Sequence, residues 1–211
     1  MQKLYKTVKN AAGAEIEEKK SRFIASVKPV NSEEEALDFI SMLKSKYWDA
    51  SHNVYAYYIG GNNIIQRFSD DGEPSGTAGL PVLEVIKRME LQDLVVVVTR
   101  YFGGILLGAA GLIRAYSKSA SAGIEAAGII TRQLCTEVSI MLEYTLFGKV
   151  QNVLMSKGYS IESIIYAQDI DITVYIPAGT NEEFIKLISD TTNGRALVEF
   201  KENTYITLYK E

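Results

Sequence analysis

The sequence predicts an α+β protein of two domains, residues 1–132 and 133–211, on three observations. Leu94 to Thr99 is an unbroken, mostly β-branched run that reads as a strand buried on both faces, and it passes through arginine, aromatics and a glycine-rich turn into a long helix. Past Thr131 the pattern gives strand, helix, strand, strand, helix, strand, the βαββαβ order of a ferredoxin-like layer of helices on an antiparallel sheet. Charge changes at the same place: residues 1–132 carry 16 Lys and Arg against 15 Asp and Glu, net +1, and residues 133–211 carry 6 against 11, net −5.

The first domain opens on strands, Leu4 to Val8, Ala14 to Lys19 and Ser21 to Val27, and Pro29 ends the pattern. A helix follows, with Ser32 and Glu35 at capping-box spacing, Glu33, Glu34 and Glu35 at the positive end of its dipole, and Ala36, Leu37, Ile40 and Leu43 on one apolar face. Tyr47 and Trp48, at its end, read as core or edge packing. Asn53 to Ile59 and Ile64 to Phe68 alternate around Gly60, Gly61, Asn62 and Asn63, which is hairpin chemistry. A helix near Leu80 to Met89 tolerates Pro81 in its first turn, and a longer one, about Ala109 to Ala127, completes the domain.

In the second domain the strands are Leu134 to Leu142, Tyr159 to Tyr166, Ile170 to Ile176 and Ala196 to Leu208, and the helices Thr145 to Ser156 and Asn181 to Asp190. Ile170, Ile172, Val174 and Ile176 alternate strictly, Phe147, Val150 and Leu154 recur at helical spacing, and Asn181 is placed to cap a helix led by Glu182 and Glu183. No chemistry-bearing cluster stands out here, so the domain reads as a binding or packing module.

Composition narrows the function classes. With 47% hydrophobic and 23% charged residues the chain is of ordinary globular make-up. No apolar run approaches the roughly 20 residues of a membrane span, and MQKLYKTVKN lacks the apolar stretch of a signal peptide, so a cytoplasmic setting is expected. A pI near 5.3 argues against a general DNA coater, although a local basic patch on the first domain fits the charge distribution. One cysteine and one histidine cannot supply zinc-type ligand spacing, and Cys135, within a strand pattern, reads as a small buried residue.

Two loops concentrate polar and glycine residues. In the first, Asp70, Asp71 and Glu73 place three carboxylates within four residues, beside Ser75 and Thr77 at a helix start. Mg²⁺ with a phosphate would suit them, and so would turn chemistry in which Ser75 or Thr77 caps the next helix. In the second, Gly103, Gly104 and Gly108 allow close approach, the following helix offers free N–H groups to an anion, Arg100 and Arg114 add charge, and Tyr101 and Phe102 present ring faces. The run matches neither the P-loop nor the dinucleotide fingerprint, and close helix-on-sheet packing through Gly108, Ala109, Ala110 and Gly111 explains it equally. His52 reads as a hydrogen-bonded structural residue or as a general base.

SRFIA at Ser21 to Ala25, ASH and then YAY around His52, SDDGEPSGTAGLP at Ser69 to Pro81 and VVVTRYFGGILLGAAGLIRAY at Val96 to Tyr116 resemble the IMPACT family, in its bacterial two-domain form. Leu106 departs from the lysine usual there, and Ala110 from a glycine. The resemblance implies a first domain like the second domain of ribosomal protein S5, a fold shared with domain four of elongation factor G, and a tail similar to that factor's ferredoxin-like domains. Eukaryotic relatives regulate translation, so it also implies a link to ribosomes, RNA or translation. With two Gly-rich, charged loops at the ends of adjacent core elements, the expected function is a non-enzymatic regulator that contacts the ribosome, structured RNA or a translation factor through Asp70, Asp71, Glu73, Ser75, Thr77, Arg100, Tyr101, Gly103, Gly104, Arg114 and His52. The alternative is a Mg-dependent phosphate- or nucleotide-handling enzyme using the Asp70 to Thr77 and Gly103 to Gly111 loops.

Overall fold

A computed structural model describes residues 3–61 and 63–208. Asn62, part of the expected hairpin turn, lies outside the described residues, as do the first two residues of the chain. The chain divides into two compact units, the first within Met1–Thr131 and the second Arg132–Leu208.

In chain order the first unit contains β1 (Leu4–Val8), β2 (Ala12–Glu18), β3 (Ser21–Pro29), α1 (Glu33–Lys46), β4 (His52–Ile59), β5 (Ile65–Ser69), α2 (Gly79–Arg88), β6 (Leu94–Tyr101) and α3 (Gly108–Ala127). Its sheet runs β2-β3-β6-β4-β5, antiparallel throughout. Central β6 explains its own composition. Val95 and Val97 face α1, packing with Ala36, Ile40 and Leu43, whereas Val96 and Val98 face α2 and α3, packing with Val82, Ile86, Leu112, Tyr116 and Ile124. A strand covered on both faces has no use for polar alternation.

Local signals account for most boundaries. Ser32 Oγ accepts from Glu35 N–H at 3.2 Å and the Glu35 carboxylate returns to Asn31 N–H at 2.8 Å, a capping box shifted by one residue on the return arm. Three expectations need correction. Leu37 is exposed instead of sharing the apolar face of α1, and Trp48 is 83% exposed and packs in no core, because the chain turns to enter β4 just after α1 and leaves the indole outside. The expected packing through Gly108 to Gly111 is also absent: Gly108, Ala109 and Ala110 are exposed, and the close approach of α3 to the sheet is at Gly123, where a Cβ would lie 2.7 Å from Ala25 Cβ.

The second unit consists of β7 (Ile129–Leu142, whose first residues belong to the first unit), α4 (Tyr144–Ser156), β8 (Ile161–Tyr166), β9 (Ile170–Pro177), α5 (Asn181–Thr192) and β10 (Leu197–Leu208). β7 pairs with β9, β9 with β8, and β10 with β7, so these strands run β10-β7-β9-β8, the ferredoxin-like order. Its core joins Val138, Ile140, Ile170, Ile172, Val174 and Ile176 to Val150, Leu154, Phe184 and Ile188 on the helices. Thr180 stands at the N-cap of α5 and Asn181 is the first helical residue, one position from the expected cap. Cys135 is a buried free thiol whose pKa burial pushes up.

Candidate functional site

The acidic loop between β5 and α2 is held by its own carboxylates. Asp71 and Gly72 take positive φ, 47° and 88°, and Glu73 N–H bonds back to Asp70 O at 3.0 Å. The Asp70 carboxylate accepts from Gly76, Ala78 and Gly79 N–H at 2.9, 3.1 and 2.8 Å and so closes the N-terminus of α2. Neither Ser75 nor Thr77 caps that helix. Ser75 is exposed, and the Thr77 hydroxyl donates to Pro74 O at 2.7 Å, because a carboxylate folded back onto the helix satisfies three N–H groups and matches the helix dipole, which one hydroxyl cannot do. Asp71 takes Lys44 Nζ at 2.7 Å on one oxygen and Asn53 N–H at 2.6 Å on the other.

Glu73 turns inward. Its Oε1 accepts from Arg100 Nη1 at 2.6 Å and from the Tyr116 hydroxyl at 2.7 Å, with His52 Nε2 at 3.8 Å. Arg100 is 5% and Glu73 8% exposed. The guanidinium sits 5.4 Å from the Phe23 ring centre and 5.6 Å from that of Phe102, reaches Ser21 Oγ at 3.5 Å, and keeps its Nε buried without a hydrogen-bond partner. Charge on an aromatic face compensates part of the desolvation. His52 Nδ1 lies 2.8 Å from Asp71 O, and a carbonyl only accepts, so Nδ1 carries the proton. Burial, and then donation to Glu73, push the Tyr116 hydroxyl far above the ordinary tyrosine range.

The structure therefore brings Glu73, Arg100 and His52 together and turns Asp70 and Asp71 elsewhere. The three carboxylates of the loop share no focus, and among the described residues no three His, Cys, Asp or Glu side chains are placed to hold a metal ion. Tyr116, Ser21 and Phe23 complete the buried cluster and were not singled out from the sequence. Nothing in periodicity marks them, since they come from α3 and β3 and meet Arg100 only through the folded sheet.

Beyond Arg100 the chain comes out to solvent. The Tyr101 hydroxyl donates to Asp49 at 2.8 Å, and Arg22 lies over the Tyr101 ring at 5.4 Å. Gly103 N–H donates to Ser21 Oγ at 3.1 Å, and a Cβ on Gly103 would lie 2.0 Å from the Lys20 carbonyl carbon, so only glycine lets this loop rest on the β2–β3 turn. Gly104, at φ 82°, then turns the chain outward, and Phe102, Ile105 and Leu106 are exposed, Leu106 to 83%. Arg114 stands apart from Arg100. It is exposed on α3 and, with Glu18, Lys19, Leu107, Gly111, Ala115 and Lys118, lines a cavity of about 170 Å³. Lys19, Lys20 and Lys118 were missed in the sequence, where Lys19 reads as the end of a strand and Lys20 alone separates it from the next; the structure ends β2 at Glu18 and puts both lysines in the turn.

Comparison with known proteins agrees with this layout. Residues 19–124 match the Impact N-terminal domain and residues 140–195 a domain of unknown function (DUF1949). The IMPACT family member YvyE of Bacillus subtilis is 44% identical over 96% of this chain and 93% of its own, and the family member YigZ of Escherichia coli 32% identical over 83% and 87%. A crystal structure of a hypothetical protein superposes over 94% of this chain and 97% of its own at 28% identity, with a TM-score of 0.61. With both domains matched, and a relative this similar along almost the whole chain, the protein belongs to the IMPACT family.

Proposed function

We propose that this protein is a non-enzymatic, translation-associated regulator that contacts structured RNA, on the ribosome or in a translation-factor complex, through the face formed by the β2–β3 turn, the 102–107 loop and α3. Family membership supports the link to translation, as the resemblance of the sequence implies. The single observation that carries the site is the pairing of exposed Phe102, Ile105 and Leu106 with Lys19, Lys20, Arg114 and Lys118, for which no ion pair is found among the described residues. Ring and aliphatic faces for bases beside unmatched cations for phosphates are the two parts of a sequence-tolerant nucleic-acid surface. The Asp70 to Thr77 loop and Arg100 serve it from below, by fixing Ser21 and Gly103.

The magnesium-enzyme alternative is the weaker reading, because it needs carboxylates free to ligate, and Asp70, Asp71 and Glu73 are each committed to N–H, Lys44, Arg100 or Tyr116 donors. A cytoplasmic setting goes with the proposal: no described helix is long and apolar enough to cross a membrane, and the buried Cys135 thiol is free.

Co-sedimentation of the full chain with ribosomes, repeated across a salt series, tests the proposal. Binding that falls steeply with salt and weakens in Phe102→Ala and Arg114→Gln is expected. Failure to bind ribosomes and structured RNA at any salt concentration sinks it.

A further inference from the structure

The cavity against α3 differs from the rest of this face in being concave and cationic. Lys19, Arg114 and Lys118 line it against one carboxylate, Glu18, and none of the three cations has an ion pair among the described residues. Arg114 and Lys118 are four residues apart on α3, the spacing at which like charges repel across one helical turn. Lys19 is brought over them by an unusual turn. Glu18 and Ser21 are paired in register, so Lys19 and Lys20 alone connect β2 to β3, and both take left-handed backbone, φ 46° and 65°. Asn-Gly is the common choice for a turn with two positive φ angles, and two lysines there hold a strained conformation. The floor is small: Gly111 and Ala115 line it, and a Cβ on Gly111 would already stand 3.0 Å from Leu107 Cβ. At about 170 Å³ the space lies below the roughly 300 Å³ at which pockets begin to enclose drug-sized ligands.

Convergent, unpaired cations around a small hollow are the complement of a compact polyanion. We infer that this cavity seats a phosphoryl group, with Arg114 offering a planar fork to two of its oxygens and Lys19 and Lys118 acting as point charges. The inference rests on the RNA reading of the surrounding face and narrows it: one phosphate of the bound RNA enters the cavity while Phe102 and Leu106 meet bases outside it. The same chemistry would accept a free small phosphate.

The test is calorimetric titration of the full chain with inorganic pyrophosphate, and of the variants Arg114→Gln, Lys118→Gln and Lys149→Gln, the last removing an exposed charge from α4. Saturable one-to-one binding is expected, weakened about tenfold or more by either α3 substitution, as for loss of one charged hydrogen-bond donor, and unchanged by the control. No binding, or equal weakening by Lys149→Gln, overturns the cavity as a site. A short RNA that displaces pyrophosphate assigns the seat to RNA. If RNA fails to compete while pyrophosphate still binds, the seat stands as one for a small soluble phosphate and the RNA reading falls. If ribosomes bind and pyrophosphate does not, the cavity inference fails and the RNA reading survives.

Discussion

The Arg100–Glu73 cluster and the Lys19–Arg114–Lys118 cluster both draw on the first unit, both involve α3, and both lie beside the β2–β3 hairpin, yet they treat charge in opposite ways. Inside, the Glu73 carboxylate takes two donors on one oxygen, and Arg100 is enclosed by Phe23, Phe102 and Ser21. Outside, three cations gather with one carboxylate among the lining residues. A buried charge left unmatched is expensive, so the interior cluster must be complete for the unit to fold. A solvated cation group tolerates its own repulsion and keeps its capacity for an outside anion. The residues most conspicuous in the sequence, SDDGEP and Arg100, belong to the first kind and are architecture. The cations without an ion pair among the described residues are Arg114, which the sequence did mark, and lysines that it did not.

The sharpest way to break this comparison is Glu73→Gln. It leaves Arg100 buried beside a neutral amide, and the expected cost is about 3–5 kcal/mol of stability by urea denaturation of the full chain. Adding Arg100→Met should recover part of that loss, because an apolar side chain fits between two rings without a stranded charge. A cost under about 1 kcal/mol for the single substitution would show that the pair is not structural. Next in size is Asp70→Ala, which strips the Ala78 and Gly79 N–H groups at the start of α2, and Gly76 N–H in the loop before it, of their acceptor; a loss of about 2 kcal/mol is expected, at the upper end for a lost helix cap. Ser75→Ala, at an exposed position, should leave stability unchanged in the same assay.

The interior cluster also predicts an alkaline limit. Tyr116 is held neutral by burial and by donation to Glu73, and Tyr57, on the α1 face of the sheet, by burial and by donation to Glu33. Both have folded-state pKa values above the unfolded value near 10. Their contribution is complete below pH 10 and is lost as pH rises above it, since only the unfolded chain releases these protons readily. Each should then remove about 1.4 kcal/mol per pH unit. Denaturation midpoints measured at pH 8 and pH 11 check this, and Tyr116→Phe should make the slope shallower by the share of that one hydroxyl; a stability flat through that range would refute the burial of both hydroxyls.

Much of the scaffold could be read from local pattern. The β-branched β6, the Ser32–Glu35 cap and the alternation of Ile170 to Ile176 each act within a few residues, so the chain carries them in plain order. What escaped reading depends on pairs far apart in sequence. Asp70 displaces Ser75 and Thr77 as the cap of α2 because the loop folds back on itself, and Arg100 finds Glu73 across 27 positions and Tyr116 joins them across 43. Trp48 reads as core or edge packing by composition, and only the turn into β4 decides that it faces water. The cavity escaped for the same reason: Lys19 and Lys118 are nearly a hundred residues apart and share it only because β2 lies under α3.

The smallest expected effect completes the contrast. Arg114→Gln with Lys118→Gln removes a like-charge pair at i,i+4 and leaves no donor or acceptor stranded among the described residues. Urea denaturation should then show a gain of about 0.2–0.5 kcal/mol, or none, where loss of one interior charge costs roughly ten times as much. Because the repulsion is screened, the gain should shrink as salt is raised, whereas the cost of Glu73→Gln should not. A destabilisation above about 1 kcal/mol would mean that these cations are held within the fold and are not free to meet an anion, and the two clusters would then be of one kind.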